Sequence, residues 1–378
     1  MNKPVFLRII FYFISSRLIF LLLAIIASYL IPLREGYLGS QFDAKVPYLA
    51  WVWANFDGRH FLSIATEGYQ RTNFAYFPLY PLLISLTGFV LPISHLLLGI
   101  FISIVFYFSS MLVIFKIIRL DYEQKVANLS LLLLSFSPLS FFYHSVYTDS
   151  IFLLLTVSSF YFARKGKWWL SGLLCGLAMA TRLSGIALLP ALLIEWYLQN
   201  KNLGGTKLKL RFLQTGLPVL VLGCLGIISY LLYLQVYFGD LLLFQKSMIA
   251  WKQNEFVFPL QVVWRYVKIF FSVSPSLLVF WIAAFEFVTL VFYLVTALYV
   301  LLRVRASYGV FMLLLLSLVT FTGTFAGTPR YALHLFPLFL GLAVILSRRK
   351  TLRYFTYFLF LVLGLVLTAL FTRGYFVA

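Results

Sequence analysis

Long apolar runs broken by short polar or basic turns set the rhythm of this chain. The first run covers about 6–31, and a polar loop follows over 32–75. Further apolar stretches occupy about 96–120, 124–142, 148–163, 168–186, 187–199, 212–238, 271–302, 307–325, 331–347 and 354–373. A helix needs about 20 apolar residues to cross a bilayer, whereas a membrane β-barrel alternates in strands of about ten. Backbone in lipid must satisfy its own hydrogen bonds, so unbroken runs predict helices. The pattern predicts an all-α, polytopic transmembrane helical bundle of about 11 spans plus one partly inserted segment. That segment is Phe77–Pro92, which is short and carries Pro78, Pro81 and Pro92.

Charge decides whether Phe77–Pro92 crosses. If it does not, most of the basic residues gather on one side with Lys3 and Arg8. They are Lys116, Arg119 and Lys125; Arg164, Lys165 and Lys167; Lys201, Lys207, Lys209 and Arg211; Arg303 and Arg305; and Arg348, Arg349, Lys350 and Arg353. Positive residues favour the cytoplasmic side, so the expectation is a non-crossing segment, a cytoplasmic N-terminus and an outer C-terminus. The four histidines, His60, His95, His144 and His334, then fall on the outer face, as do Glu35, Asp43, Asp57, Glu67, Asp149, Asp240 and Glu255.

Composition agrees. Of 378 residues, 62% are hydrophobic and only 11% charged, against about 25% charged in soluble domains. The net charge of +19 would suit a nucleic-acid binder, but the positive-inside bias accounts for it, and the aromatics do not alternate with Lys or Arg. No nucleic-acid partner is expected. Cys175 and Cys224 lie inside apolar runs and read as packing residues. The basic N-terminal segment lacks a small-residue cleavage site and reads as a retained first span. Residues 1–378 read as one integral-membrane domain, in the plasma (inner) membrane if the source is prokaryotic.

Polar chemistry concentrates in Trp53–Gln70, WANFDGRHFLSIATEGYQ, and in NFAYFPLYP just after it. Asp57, Arg59, His60, Glu67 and Arg71 sit there among Trp and Phe side chains that favour an interface. From Arg59 to Tyr69 the spacing places Phe61, Ile64 and Ala65 on one face of a short helix lying on the membrane, ended by Gly68. Asp57 precedes it and reads either as its N-cap or as a functional carboxylate. Arg182 in ATRLSG and Arg330 in GTPRYALH lie at turns between apolar runs. Arginine there either snorkels or holds an oxyanion with its fork. Asp149, opening the run after SVYT, caps a helix, pairs with an arginine or contacts a substrate hydroxyl. Glu286 and Arg17 lie inside apolar runs, where ionisable residues are functional candidates, though Glu286 is expected to be a neutral or paired packing residue and Arg17 to snorkel or be paired. The histidines lack a ligand pattern such as HExxH, so no cofactor is expected and a divalent metal is not indicated. No phosphate-binding glycine loop is visible. GLLCGLAMA, Gly172–Ala180, is a small-residue face for close helix packing.

The string FDGRHFLSIATEGY with FPLYPLL resembles the PIG-V-like mannosyltransferases, of the GT-C superfamily of membrane glycosyltransferases. SPLSFFYHSVYTDSIFLLL, WWLSGLLCGLAMATRLSGIALLP and the late TPRYALHLFP match the same family. One departure is Phe56, where a Trp often precedes the Asp. The resemblance implies a GT-C-like bundle whose outer first loop, 32–95, carries a catalytic acid residue. It implies a polyprenyl-phosphate-linked donor, expected to carry mannose, and inverting transfer at the outer face. Asp57 would be the general base; Arg59, His60, Asp149, Arg182, Arg330 and Tyr331 would bind substrate. The partners would be the lipid-linked donor, a glycan, lipid or protein acceptor, and membrane lipid. The alternatives are a transporter or flippase of a lipid-linked sugar, with Glu286 and Arg17 lining a path, and a structural membrane subunit.

Overall fold

A computed structural model describes residues 3–35, 46–70, 73–251, 253 and 255–377. Asp43 and Arg71 lie outside the described residues. The described residues contain helices and turns and no strands, as the continuous apolar runs require. In chain order the main helices are α1 (Lys3–Leu30), α2 (Asp57–Glu67), α3 (Leu79–Val90), α4 (His95–Ile118), α5 (Gln124–Ser135), α6 (Asp149–Arg164), α7 (Trp168–Met179) and α8 (Leu188–Asn200). They continue as α9 (Leu217–Phe238), α10 (Pro259–Ser272), α11 (Leu278–Arg303), α12 (Ala306–Thr320), α13 (Thr328–Tyr331), α14 (Phe336–Ser347) and α15 (Lys350–Thr372).

The expected count of about eleven spans is not confirmed. Among the described residues five helices are long and apolar enough to cross a membrane: α1, α4, the continuous Gly205–Phe238 that contains α9, α11 and α15. A sixth arises if Thr328–His334 and Phe336–Ser347, bent by 85°, count as one span. The difference lies in breaks that apolarity hides. The run 168–186 ends as helix at Met179, turns through Arg182, and resumes as a 3-10 turn over Leu183–Ala187 before α8. The run 124–142 is α5 followed by a 3-10 turn over Ser140–His144, with Pro138 between. The residue before a proline is pushed out of helical geometry, so the second of these runs becomes two short pieces. The helix in Phe77–Pro92, α3, has 12 residues and is about 18 Å long, too short to cross ~30 Å of hydrocarbon alone. Large apolar side chains such as Phe11, Phe89 and Phe271 are exposed, which suits a chain whose solvent is lipid. The protein is an integral membrane protein.

The chain forms two compact units. The first comprises residues 1–68, 80–154 and 342–377, and the second 69–79 with 155–341. In the first, α1 packs along α15 and α5, burying Val5, Ile9, Ser16, Phe20, Ala24 and Ala27, a stripe at helical spacing. Arg17 lies in the middle of α1 and is held by protein. Its guanidinium donates to Ser140 O at 2.7 Å and to His144 Nδ1 at 2.9 Å, and lies 4.8 Å from the Tyr107 ring. Backbone oxygens thus solvate a cation that lipid could not.

In the second unit the tightest packing joins α7 to α9. The small-residue face expected at Gly172–Ala180 makes this contact. A Cβ at Gly226 would come within 1.8 Å of Gly176 O, and one at Gly176 within 2.3 Å of Leu222 O. Only glycine fits such a crossing. Gly226→Ala is therefore expected to destabilise the protein by about 1–3 kcal/mol or more, seen as a lower thermal transition in detergent. Cys175 packs near Gly223, and both cysteines are free thiols. A charge cluster staples the same unit. Glu195 is fully buried and accepts two bonds from Arg305, at 2.7 and 2.6 Å, and one from Ser307 Oγ at 2.6 Å. Glu286 is also buried and accepts from the Tyr266 hydroxyl at 2.5 Å, and that hydroxyl accepts from Phe325 N at 3.0 Å. Glu286 and Arg17 therefore take the packing roles expected of them.

Candidate functional site

In the first unit, a tightly tied turn presents Asp57. Asn55 is fully buried, and its amide donates to Phe371 O at the end of α15, at 2.8 Å. Tyr147 OH donates to Asn55 O at 2.5 Å, and Val146 N to Trp53 O at 2.9 Å. The loop before Asp149 is thereby locked onto residues 53–55. Gly58 completes the contact: a Cβ there would meet Val146 O at 3.3 Å and Ala54 Cβ at 3.2 Å. Between these ties Phe56 has φ +57° and ψ −115°, and among the described residues it is the one non-glycine residue with positive φ. Such a conformation costs about 1–3 kcal/mol and persists only where surroundings impose it. Here its ring packs on Phe371 and Phe376, each at 5.8 Å.

Of the two readings open for Asp57, the N-cap position goes to its neighbour. Phe56 occupies the N-cap position without a side-chain cap, and Asp57 is the first helical residue, half-buried. The carboxylate thus sits in the first turn of the helix. The expected face and end of α2 are found: Phe61, Ile64 and Ala65 are buried, and Gly68, at φ +81°, ends the helix. The buried face is covered by protein, since the Phe61 ring meets Tyr80 edge-on at 5.4 Å and lies 6.4 Å from Tyr147. The Tyr80 hydroxyl is bonded to Gly99 O at 2.9 Å and to Ser103 Oγ at 2.8 Å. Asp149 opens α6, fully buried, close enough for its charge to act on Tyr80.

Arg59 and His60 follow Asp57 on α2, both half-buried. Residues three apart on a helix are neighbours, which brings His60 and Asp57 together. Burial pushes the His60 imidazole below its ordinary pKa; Asp57 opposes this and Arg59 reinforces it. His60 is thus a neutral hydrogen-bonding group at neutral pH. As pH falls through the ordinary histidine value, about 6.5, the unfolded chain takes up this proton before the folded one, so stability drops. His60→Gln, which cannot protonate, is expected to lose less thermal stability than the wild type between neutral pH and mild acid, measured by thermal unfolding in detergent.

The second unit holds a cationic cluster. Arg182 stands at the break between α7 and the following 3-10 turn. It donates from Nη1 to His334 Nε2 at 3.2 Å, and its guanidinium lies 5.4 Å from the Tyr331 ring. Guanidinium only donates, so Nε2 of the fully buried His334 is the acceptor. Tyr331 is half-buried, and Arg330 beside it in α13 is 8% exposed. The turn is fixed by the Tyr293 hydroxyl, which donates to Pro329 O at 3.1 Å, and by Thr328 Oγ1 donating to Phe325 O at 2.6 Å. Arg182, Tyr331 and His334, from segments about 150 residues apart, are thus gathered, and a guanidinium fork of this kind is suited to an oxyanion. His334 was visible in the sequence only as one more histidine. Within the same unit, Phe74 and Phe77 of the FPLYP segment pack against Tyr230 and Leu234 of α9, and Tyr230 OH donates to Phe74 O at 2.6 Å.

Asp57, Arg59, His60 and Asp149 therefore belong to the first unit, and Arg182, Arg330 and Tyr331 to the second. His144 is buried against Arg17 and the Trp53 ring, 4.2 Å away. Among the described residues no group of three or more His, Cys, Asp or Glu side chains could hold a metal ion.

A family model described as Mannosyltransferase (PIG-V) matches residues 6–268. GPI alpha-1,6-mannosyltransferase 2 of Rattus norvegicus is 30% identical over 155 residues, 38% of this chain and 32% of that protein. The protein of the same description from Mus musculus is 31% identical over 162 residues, 40% of this chain and 33% of that one. The match thus spans about a third of the length of these curated relatives. Among solved structures, the oligosaccharyltransferase of Archaeoglobus fulgidus in complex with Zn and sulfate aligns over 95% of this chain and 53% of that one, at 14% identity and a TM-score of 0.46.

Proposed function

The chain belongs to the PIG-V mannosyltransferase family, and from that premise we propose that it is a membrane glycosyltransferase using a polyprenyl-phosphate-linked sugar. The sugar is expected to be mannose, and the acceptor is a hydroxyl on a glycan, lipid or protein at the outer face. The observation that carries the reading is the strained, tied turn that sets a half-buried Asp57 at the start of α2. Backbone strain held by so many bonds is characteristic of functional sites.

In the reaction, Asp57 accepts the proton of the acceptor hydroxyl. The acceptor oxygen forms its bond to the anomeric carbon as the bond from that carbon to the phosphate oxygen breaks. The electron pair leaves with the polyprenyl phosphate, which needs positive charge and no proton. Arg182 and Arg330 are assigned that charge, with Tyr331 beside Arg182. Arg59 and neutral His60 orient the substrate near Asp57, and Asp149 is assigned to substrate binding with them. The reaction so written uses protein side chains alone and no cofactor.

One displacement inverts the anomeric carbon. Purified protein given a polyprenyl-phosphate mannose of defined configuration should yield product of the opposite configuration, read by proton NMR of the anomeric signal. Product of the donor's own configuration would exclude the single displacement that makes Asp57 a base.

A further inference from the structure

Two recesses in the first unit meet. One is an apolar slot of 320 Å³ between α1, α5 and α15, lined by Phe20, Leu132, Leu133, Phe360 and Leu365 among others. The second, of 410 Å³, is polar and is lined by Arg8 and Tyr12 of α1, Lys125 and Asn128 of α5, and Tyr357 of α15. Leu132 and Tyr357 line both, so the polar recess is the mouth of the slot. Both volumes fall within the roughly 300–1,000 Å³ of ordinary ligand sites.

The mouth is cationic and lacks a hydrogen-bond donor for one buried group. Arg8 and Lys125 are exposed, and Arg353, one helical turn before Tyr357, places its charge close enough to act on that hydroxyl. Asn128 is 9% exposed, yet its Oδ1 has no hydrogen-bond partner among the described residues. A buried acceptor left unpaired is costly, and native structures rarely tolerate one without a reason. The two recesses also stand apart from the chemistry at Asp57. Arg8 is near the start of α1 and Tyr357 in the first third of α15, whereas the Asp57 turn is tied to Phe371 at the far end of α15.

We propose that the paired recesses bind an anionic glycerophospholipid of the phosphatidylglycerol kind. Its phosphate lies against Arg8 and Lys125, a headgroup hydroxyl donates to Asn128 Oδ1, and one acyl chain fills the slot. Basic pockets between membrane helices are suited to such headgroups. A phosphatidylcholine headgroup offers neither net negative charge nor a hydrogen-bond donor. A phosphatidylethanolamine headgroup brings a cation to a site already rich in cations. A polyprenyl phosphate lacks the headgroup hydroxyl.

Native mass spectrometry of the full chain in a neutral detergent, with equimolar phosphatidylglycerol and phosphatidylcholine, tests this. The phosphatidylglycerol adduct should exceed the phosphatidylcholine adduct by about tenfold. Arg8→Gln with Lys125→Gln, both exposed positions, should abolish that preference. Gly364→Leu should weaken both adducts, because Gly364 lines the slot and a Cβ there meets nothing closer than 3.8 Å. Equal adducts in the wild type, or an unchanged preference in the charge variant, would overturn the proposal. So would displacement of phosphatidylglycerol by an equal concentration of decaprenyl phosphate. The charge variant keeps the test decisive even if Gly364→Leu fails to fold.

Discussion

Asp57→Asn is expected to lower sugar transfer by about 10²–10⁴-fold, the range supplied by a positioned general base. The substitution keeps the shape, while it removes the negative charge and the capacity to take a proton and turns one acceptor oxygen into a donor. The fold should tolerate it, because Phe56 holds the N-cap position and the turn is fixed by Asn55, Tyr147 and Phe371. Initial rates in detergent, with the thermal transition measured alongside, separate the two effects. An unchanged transition with lost transfer assigns the role to the carboxylate. Transfer at the wild-type rate by this variant would remove Asp57 from the mechanism.

The second large effect is expected at Arg182. Removing one donor to a developing oxyanion typically costs about 10²–10³ in rate, and Arg182→Gln should show a loss of that order in kcat/KM for a lipid-linked donor. Arg182→Lys should recover only part of it, since an ammonium restores charge without the planar fork. Arg182 is half-buried at a helix break and bonds to His334 at 3.2 Å, so the glutamine variant should still fold. A KM and kcat identical to the wild type would show that the cluster around Tyr331 has another purpose.

Much of the first unit's site was legible in the sequence. Phe61, Ile64 and Ala65 fall on one face of a helix by spacing alone, and Gly68 ends that helix because it accepts positive φ. The glycine face at Gly172–Ala180 announced close packing, and α9 supplies it. Other features were out of reach for physical reasons. Phe56 gives no local sign of positive φ, since its conformation is imposed by ties to residues 147 and 371. The Glu195–Arg305–Ser307 cluster joins positions more than 100 residues apart, and no local pattern encodes such pairing. The span count was the least legible part, because every element in a membrane chain is apolar. A helix and the 3-10 turn that interrupts it look alike in hydropathy, as between α7 and α8.

This family member is proposed to take its sugar from a polyprenyl phosphate through Asp57. Purified protein should be incubated with radiolabelled polyprenyl-phosphate mannose and, in parallel, with a nucleotide-linked mannose, each with and without Asp57→Asn. Transfer or slow donor hydrolysis is expected from the lipid-linked sugar, lost in the variant, and none from the nucleotide sugar. Turnover of the nucleotide sugar with none of the lipid-linked one would contradict it.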